Sequence, residues 1–189
     1  GASGQIGRTL IRKLTQKNFK VTAVTRNLHQ NGYVLKTQAN SGYLDIVETN
    51  IFDLHKIDEL IKKADICVNL IGILFEKGSN NFNNIHEKFP SMISNLCQKH
   101  KISKLIHLSA LGIENAKDSR YALSKIKGEI EVRKNFKDAI ILKPSIIYSV
   151  DDNFTTMLMS LLNLSPIFPL YYGGKTKFMP LHCVDICNL

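Results

Sequence analysis

The 189-residue chain has no tryptophan, only five prolines, and no unbroken apolar run approaching the ~20 residues that a bilayer-spanning helix needs. Its most apolar late stretch, 157–172, is interrupted by Asn163, Pro166 and Pro169, so no transmembrane segment is read. The four cysteines (Cys67, Cys97, Cys183, Cys187) lack the spacing of a disulfide framework, which points to a reducing compartment. His182, Cys183 and Cys187 have no second Cys/His pair at ligand spacing, so they read as packed thiols and no metal site is expected. No block of five like charges occurs; the net charge of +9 (25 basic minus 16 acidic) is diffuse. Tyr33, Phe75 and Phe82 do not interleave with a basic stripe, which leaves a nucleic-acid platform unsupported.

What remains is ordinary globular composition, 44% hydrophobic and 22% charged, enough for one full core and part of a second unit. The chain opens at Gly1 inside a glycine-rich turn that normally follows a strand, and it ends at Leu189 in an apolar run. It reads as a piece of a longer protein, with a first strand and most of a C-terminal domain outside it, and any targeting segment cannot be judged.

Strand-like and helix-like segments alternate, the signature of a parallel sheet with crossover helices. Strands are expected at 20–25, 44–49, 66–71, 104–109 and 139–142. Helices are expected after the opening turn and near 56–63, 85–96 and 119–133, with a loop carrying Asn31-Gly32 and Ser41-Gly42 before the second of these strands. The expected architecture is an α/β, Rossmann-type doubly wound parallel sheet over residues 1–145. Residues 146–189 then form a helix, a proline-rich turn and the start of a small C-terminal domain.

Gly1-Ala2-Ser3-Gly4-Gln5-Ile6-Gly7 is a G-x-x-G-x-x-G turn opening a helix. Such glycines permit a tight turn and close backbone approach to a pyrophosphate, while the helix N-terminus offers free N–H groups and a positive dipole end. A site preferring NAD places a carboxylate about 20 residues further on, against the ribose hydroxyls. Here that place holds Arg26, 19 residues after Gly7 (26 − 7), and Arg8 directly follows the last glycine. A guanidinium fork suits a 2′-phosphate, so NADP(H) is favoured and NAD(H) stays open. Asp53 either caps the next helix or accepts from an adenine amino group. Asn69-Leu70-Ile71-Gly72 ends a strand at the carboxyl edge of the sheet, where ligands of such folds sit.

Ser109 ends another strand, and Tyr121 and Lys125 stand one helical turn apart on one face. A free tyrosine has a pKa of about 10 and is a poor base near neutrality. A neighbouring ammonium, and the positive ring of an oxidised nicotinamide, favour phenolate and lower that pKa. Tyr121 then exchanges a proton with a substrate hydroxyl while Ser109 holds the developing oxyanion. His107 reads as a satisfied sheet residue, and His86 and His100 as solvated surface.

These residues together resemble an atypical, extended short-chain dehydrogenase/reductase, and within it the NADPH-binding accessory subunit of respiratory complex I and its bacterial relatives. The resemblance is carried by 68–72, 104–109, 119–121 with Lys125 and Gly128-Glu129, 139–145, 166–170, 175–180 and Val184-Asp185. It implies a tightly held NADPH with a structural role in complex I, in the bacterial cytoplasm at the inner face of the membrane or on the matrix side of the mitochondrial inner membrane. Relatives named epimerases, dehydratases or reductases imply the alternative, turnover on a hydroxyl, carbonyl or nucleotide-sugar substrate. By the same resemblance Lys143-Pro144-Ser145 lie beside the nicotinamide. Ser149 departs from the pattern, since many extended members carry glycine there.

Overall fold

The structure is a computed structural model that describes residues 1–164 and 171–189. Helix α1 (Gln5–Gln16) leads through β1 (Val21–Thr25), α2 (Leu28–Lys36), β2 (Leu44–Glu48) and α3 (Leu54–Lys62) to β3 (Ile66–Asn69). A π-helical turn (Asn83–Lys88) runs directly into α4 (Phe89–Lys99), followed by β4 (Lys104–Leu108), α5 (Arg120–Asn135) and β5 (Ile140–Leu142). The remainder comprises β6 (Ile147–Tyr148), α6 (Asn153–Leu164), β7 (Leu181–His182) and α7 (Cys183–Ile186). The proline turn expected at 166–170 lies outside the described residues.

All strand pairs are parallel. β1 pairs with β2, and β3-β4-β5 form a second block; β6 pairs with β7. Register sets Asn69 opposite His107 and Leu108 opposite Leu142, so the segments leaving β3, β4 and β5 emerge side by side at one carboxyl edge. That edge is where ligands of open α/β sheets bind.

Residues 27–43, expected as loop, instead contain helix α2. Asn27 supplies its N-cap by accepting from the Gln30 amide at 3.0 Å. Leu35, fully buried, anchors the helix against Ile11 and Ala23, and Gly32 is tolerated mid-helix because Leu28 packs over it. The larger core joins Ile85 of the π turn, Phe89, Ile93 and Cys97 of α4, Leu105 of β4, and Val132 and Phe136 at the end of α5. Burying each such side chain contributes about 1.5–3 kcal/mol. The π turn and α4 are thereby fixed beneath the β3-β4-β5 edge.

Candidate functional site

The Gly1–Gly7 turn is built of backbone packed on backbone. A Cβ at Gly7 would lie 2.4 Å from the Gly1 carbonyl oxygen and 2.5 Å from that of Ala2. A Cβ at Gly1 would meet the Leu70 backbone at 2.7 Å, whereas one at Gly4 would meet only the Gly1 oxygen, at 3.3 Å. Gly4 is the N-cap of α1 and supplies no side-chain cap, so the first-turn amides stay available to an anion. Ser3 and Ile6 are half-buried in this turn. Gln5 Nε2 donates to Ser149 Oγ at 2.9 Å, and Ser149 in turn donates to Asp151 at 3.0 Å. The serine that departs from the family pattern thus ties the 149–152 loop to the start of α1.

The two arginines differ. Arg8 is paired with Asp151. Arg26, exposed just past β1, makes no ion pair or side-chain hydrogen bond among the described residues. Asp53 is the N-cap of α3, its Oδ1 accepting from the Lys56 amide at 3.1 Å.

At the carboxyl edge, Asn69 is buried and braces its own loop. Its Oδ1 accepts from the Ile71 amide and its Nδ2 donates to His107 Nδ1, each at 3.1 Å. Leu70 abuts Gly1, while a Cβ on Gly72 would sit 3.9 Å from Lys125 Nζ. The 69–73 segment therefore reaches from the glycine turn to the helix carrying Tyr121 and Lys125. The Ser109 amide donates to the Leu142 carbonyl at 2.8 Å and that of Leu111 to Pro144 at 2.9 Å, which brings 143–145 beside Ser109. Ser145 is half-buried there, and the Lys143 ammonium is held by Glu114 and, at 2.8 Å, by Glu129.

Ser109 is 5% exposed, and its Oγ has no hydrogen-bond partner among the described residues. A buried hydroxyl left unpaired costs roughly 1–3 kcal/mol, a deficit a ligand oxygen can remove. Lys125 is equally buried; burial pushes its pKa down to about 8, and Nζ donates to the Leu108 carbonyl at 2.8 Å. The expected lowering of the Tyr121 pKa is not seen. Burial raises it, because desolvation of the phenolate outweighs any help from an ammonium committed to a backbone carbonyl.

Two histidines correct the surface reading. His86, 1% exposed, lies against Tyr121 with ring centroids 5.5 Å apart, and burial beside the Lys125 ammonium pushes it down to about 4. His100 is bonded to Asp58, Nε2 to Oδ1, at 2.7 Å. His107 is 2% exposed and satisfied by Asn69, as the sequence suggested; burial, Lys125 and His86 take it down to about 3. Sequence reasoning missed His86 because its partners, Ile73 and Ser124, come from other elements; its place on the apolar stripe beside Ile85 and Phe89 was the available signal.

A family model described as NAD(P)H-binding matches residues 1–153. The chain belongs to the NAD(P)H-binding family. Among curated relatives, the mitochondrial NADH-ubiquinone oxidoreductase 40 kDa subunit of Neurospora crassa is 24% identical over 186 residues, covering 98% of this chain and 48% of that protein. Ceramide reductase of Caulobacter vibrioides is 26% identical over 187 residues, covering 98% of this chain and 56% of that protein. The chain thus spans about half the length of these relatives. Its fold matches DesIV, a dTDP-glucose 4,6-dehydratase from Streptomyces venezuelae with NAD and TYD bound. The TM-score is 0.81 over 100% of this chain and 68% of that one, at 17% identity, a likeness of fold. In sequence the chain is thus similar to a complex I subunit and a ceramide reductase, and in fold to a dehydratase. Among the described residues, no helix is long and apolar enough to cross a membrane.

Proposed function

We propose that the chain binds NADP(H) and belongs to a protein acting as an accessory component of respiratory complex I, held together in part by its dinucleotide. The observation that carries the reading is the Gly1–Gly7 turn, where side chains are excluded by backbone at Gly1 and Gly7 and the amides of α1 are left uncapped. These residues fit a pyrophosphate. Gly1, Ser3, Gly4, Gln5, Ile6 and Gly7 would hold it, Arg26 would meet a 2′-phosphate, and Arg8 would join on leaving Asp151. Asn69, Leu70, Ile71 and Gly72, with Lys143, Pro144 and Ser145, would line the nicotinamide half. Asp53 keeps its cap and offers an adenine contact with its second oxygen. Residues 1–145 form the nucleotide-binding unit, and 146–189 belong to a second one. The likeness to the Neurospora subunit across nearly the whole chain supports the complex I assignment and, with it, the matrix side of the mitochondrial inner membrane. The bacterial cytoplasm, at the inner membrane face, is the alternative compartment.

A second reading is favoured by one observation, the buried Ser109 Oγ that has no hydrogen-bond partner among the described residues, one residue past the Leu108 carbonyl that Lys125 bonds. In it the protein is a reductase, epimerase or dehydratase, the bound dinucleotide supplying or accepting hydride. Tyr121 gives or takes the proton at the substrate oxygen, Ser109 donates to that oxygen, and Lys125 adds positive charge. The full-length protein decides between them. Co-purification with complex I, no turnover on a panel of hydroxyl and carbonyl substrates, and an intact cellular role after Tyr121→Phe are expected. A free species that turns over and loses its role in Tyr121→Phe reverses the order of the two readings.

A further inference from the structure

We propose that His86 is a positioning residue: a neutral imidazole, protonated on Nδ1, that locks the Gly72–Ile73 turn to the helix carrying Tyr121 and Lys125. Its bearing on cofactor rests on the dinucleotide reading above; the lock itself stands on geometry alone.

The ring is almost fully buried, yet both nitrogens are engaged, and by different elements. The Ile73 amide lies 3.1 Å from Nε2, and Ser124 Oγ lies 2.9 Å from Nδ1. An amide nitrogen only donates, so Nε2 accepts and carries no proton. Ser124 commits its own proton to the Tyr121 carbonyl at 2.7 Å, so its oxygen is free to accept from Nδ1–H. Each group in the chain Ile73, His86, Ser124, Tyr121 thus has one direction, and that direction selects one tautomer. Of the charged groups facing the ring, the cation opposes a second proton, and the carboxylate that favours one is outweighed by burial. They are the Lys125 ammonium from α5 and Glu76 from the loop after β3, the latter paired with Arg120 at 2.8 Å, while His107 on β4 is itself kept neutral.

The ring is clamped sideways as well. Phe82 stacks on it with centroids 5.4 Å apart, and Tyr121 stands edge-on to it. Its backbone belongs to the π-helical turn, a local widening that recurs at functional sites. The carbonyl of His86 presses on Gly128 so closely that a Cβ there would lie 1.9 Å from the oxygen. The 69–73 segment is therefore pinned at three points: Leu70 by the glycine turn, Ile71 by Asn69, and Ile73 by His86. Loss of the last pin frees the end nearest Lys125 and leaves the glycine turn untouched.

The test uses the full-length protein with two probes, NADPH and adenosine 2′,5′-bisphosphate, which presents the adenine half alone. His86→Asn keeps a donor near Nδ1 but removes the acceptor of the Ile73 amide. His86→Gln restores an acceptor near Nε2. His86→Asn is expected to weaken NADPH by roughly tenfold, the size of one lost hydrogen bond to a buried amide, and to leave the bisphosphate unchanged. His86→Gln is expected to recover most of the NADPH affinity. Equal weakening of both probes, or of neither, overturns the proposal. So does a ¹⁵N spectrum of the unmutated protein showing the imidazole proton on Nε2, a measurement that needs no variant to fold. If the unmutated protein binds neither probe, the dinucleotide reading fails by itself. The ¹⁵N spectrum then decides the lock.

Discussion

Nζ of Lys125 donates to the carbonyl oxygen of Leu108 at 2.8 Å, fastening α5 to the end of β4 one residue before Ser109. The contact places a cation in a buried position and gives it a dipole rather than a carboxylate as partner. Burial therefore wins, and the ammonium is held less firmly than a solvated lysine.

The share of stability that depends on Lys125 should rise with pH above 8. The folded chain releases the Lys125 proton near pH 8, whereas the unfolded lysine keeps it until about 10.5, so the unfolded state binds more protons across that window. Above pH 10 the trend is opposed by Tyr121, whose raised pKa keeps its proton after the unfolded phenol has ionised. Between pH 7.5 and 9.5 the urea midpoint of the unmutated protein should gain on that of Lys125→Met, a difference that cancels the opposing effect of the Cys187 thiol, which burial pushes up to about 12.

Acid should destabilise the protein well before its carboxylates titrate. Unfolded His86 and His107 take up protons near 6.5, while the folded chain resists until about 4 and about 3 respectively. The stability they confer is complete above pH 6.5 and is lost as pH falls toward 4. A denaturation midpoint that does not change between pH 7 and pH 5 contradicts the buried, neutral state of both rings.

Gly7 and Gly4 should respond differently to alanine. At Gly7 the new methyl meets two backbone oxygens that cannot move aside, an overpacking cost of about 2 kcal/mol or more, together with loss of dinucleotide affinity. At Gly4 the single 3.3 Å contact needs only a small adjustment. Thermal melting and NADPH titration of Gly7→Ala and Gly4→Ala should show the first much more damaged.

Arg26→Asp should weaken NADP(H) at least tenfold by removing a charge-assisted phosphate contact and adding repulsion. NAD(H) should bind it as well as, or better than, the unmutated chain. Equal affinity of the unmutated protein for NAD and NADP rules out the 2′-phosphate role of Arg26.

Ser109→Ala should separate stability from chemistry. It removes an unpaired buried hydroxyl, so the melting temperature should hold or rise. Any reductase turnover should fall by about 100-fold with the loss of an oxyanion donor. A large loss of stability contradicts the unpaired hydroxyl.

Much of this architecture is legible from local pattern. Apolar, largely β-branched runs such as Val21–Thr25 and Ile66–Asn69 announce parallel strands, and the glycine turn announces the N-terminus of α1. The places of Ser109 just past a strand and of Tyr121 and Lys125 one turn apart on a helix are legible because their spacing follows strand ends and helical turns. What local pattern conceals is the partner of each group. Asn31-Gly32 looks like a turn until Leu35 finds a fully buried place beside Ile11. The charge on Lys125 looks available to Tyr121 until the Leu108 carbonyl takes it. His86 looks solvated until Ser124, 38 residues away, faces its Nδ1.

Gly128 carries a consequence of another kind. At Gly128 a hydrogen atom is all that separates the π turn from α5, so at that point the two main chains meet directly. The spacing between α5 and the π turn is then inherited from main-chain contact, and the His86 ring carries it on to the 69–73 segment. Mutations in the surrounding apolar core can soften the protein without detuning that distance, whereas one methyl group at Gly128 would force the whole assembly out of alignment.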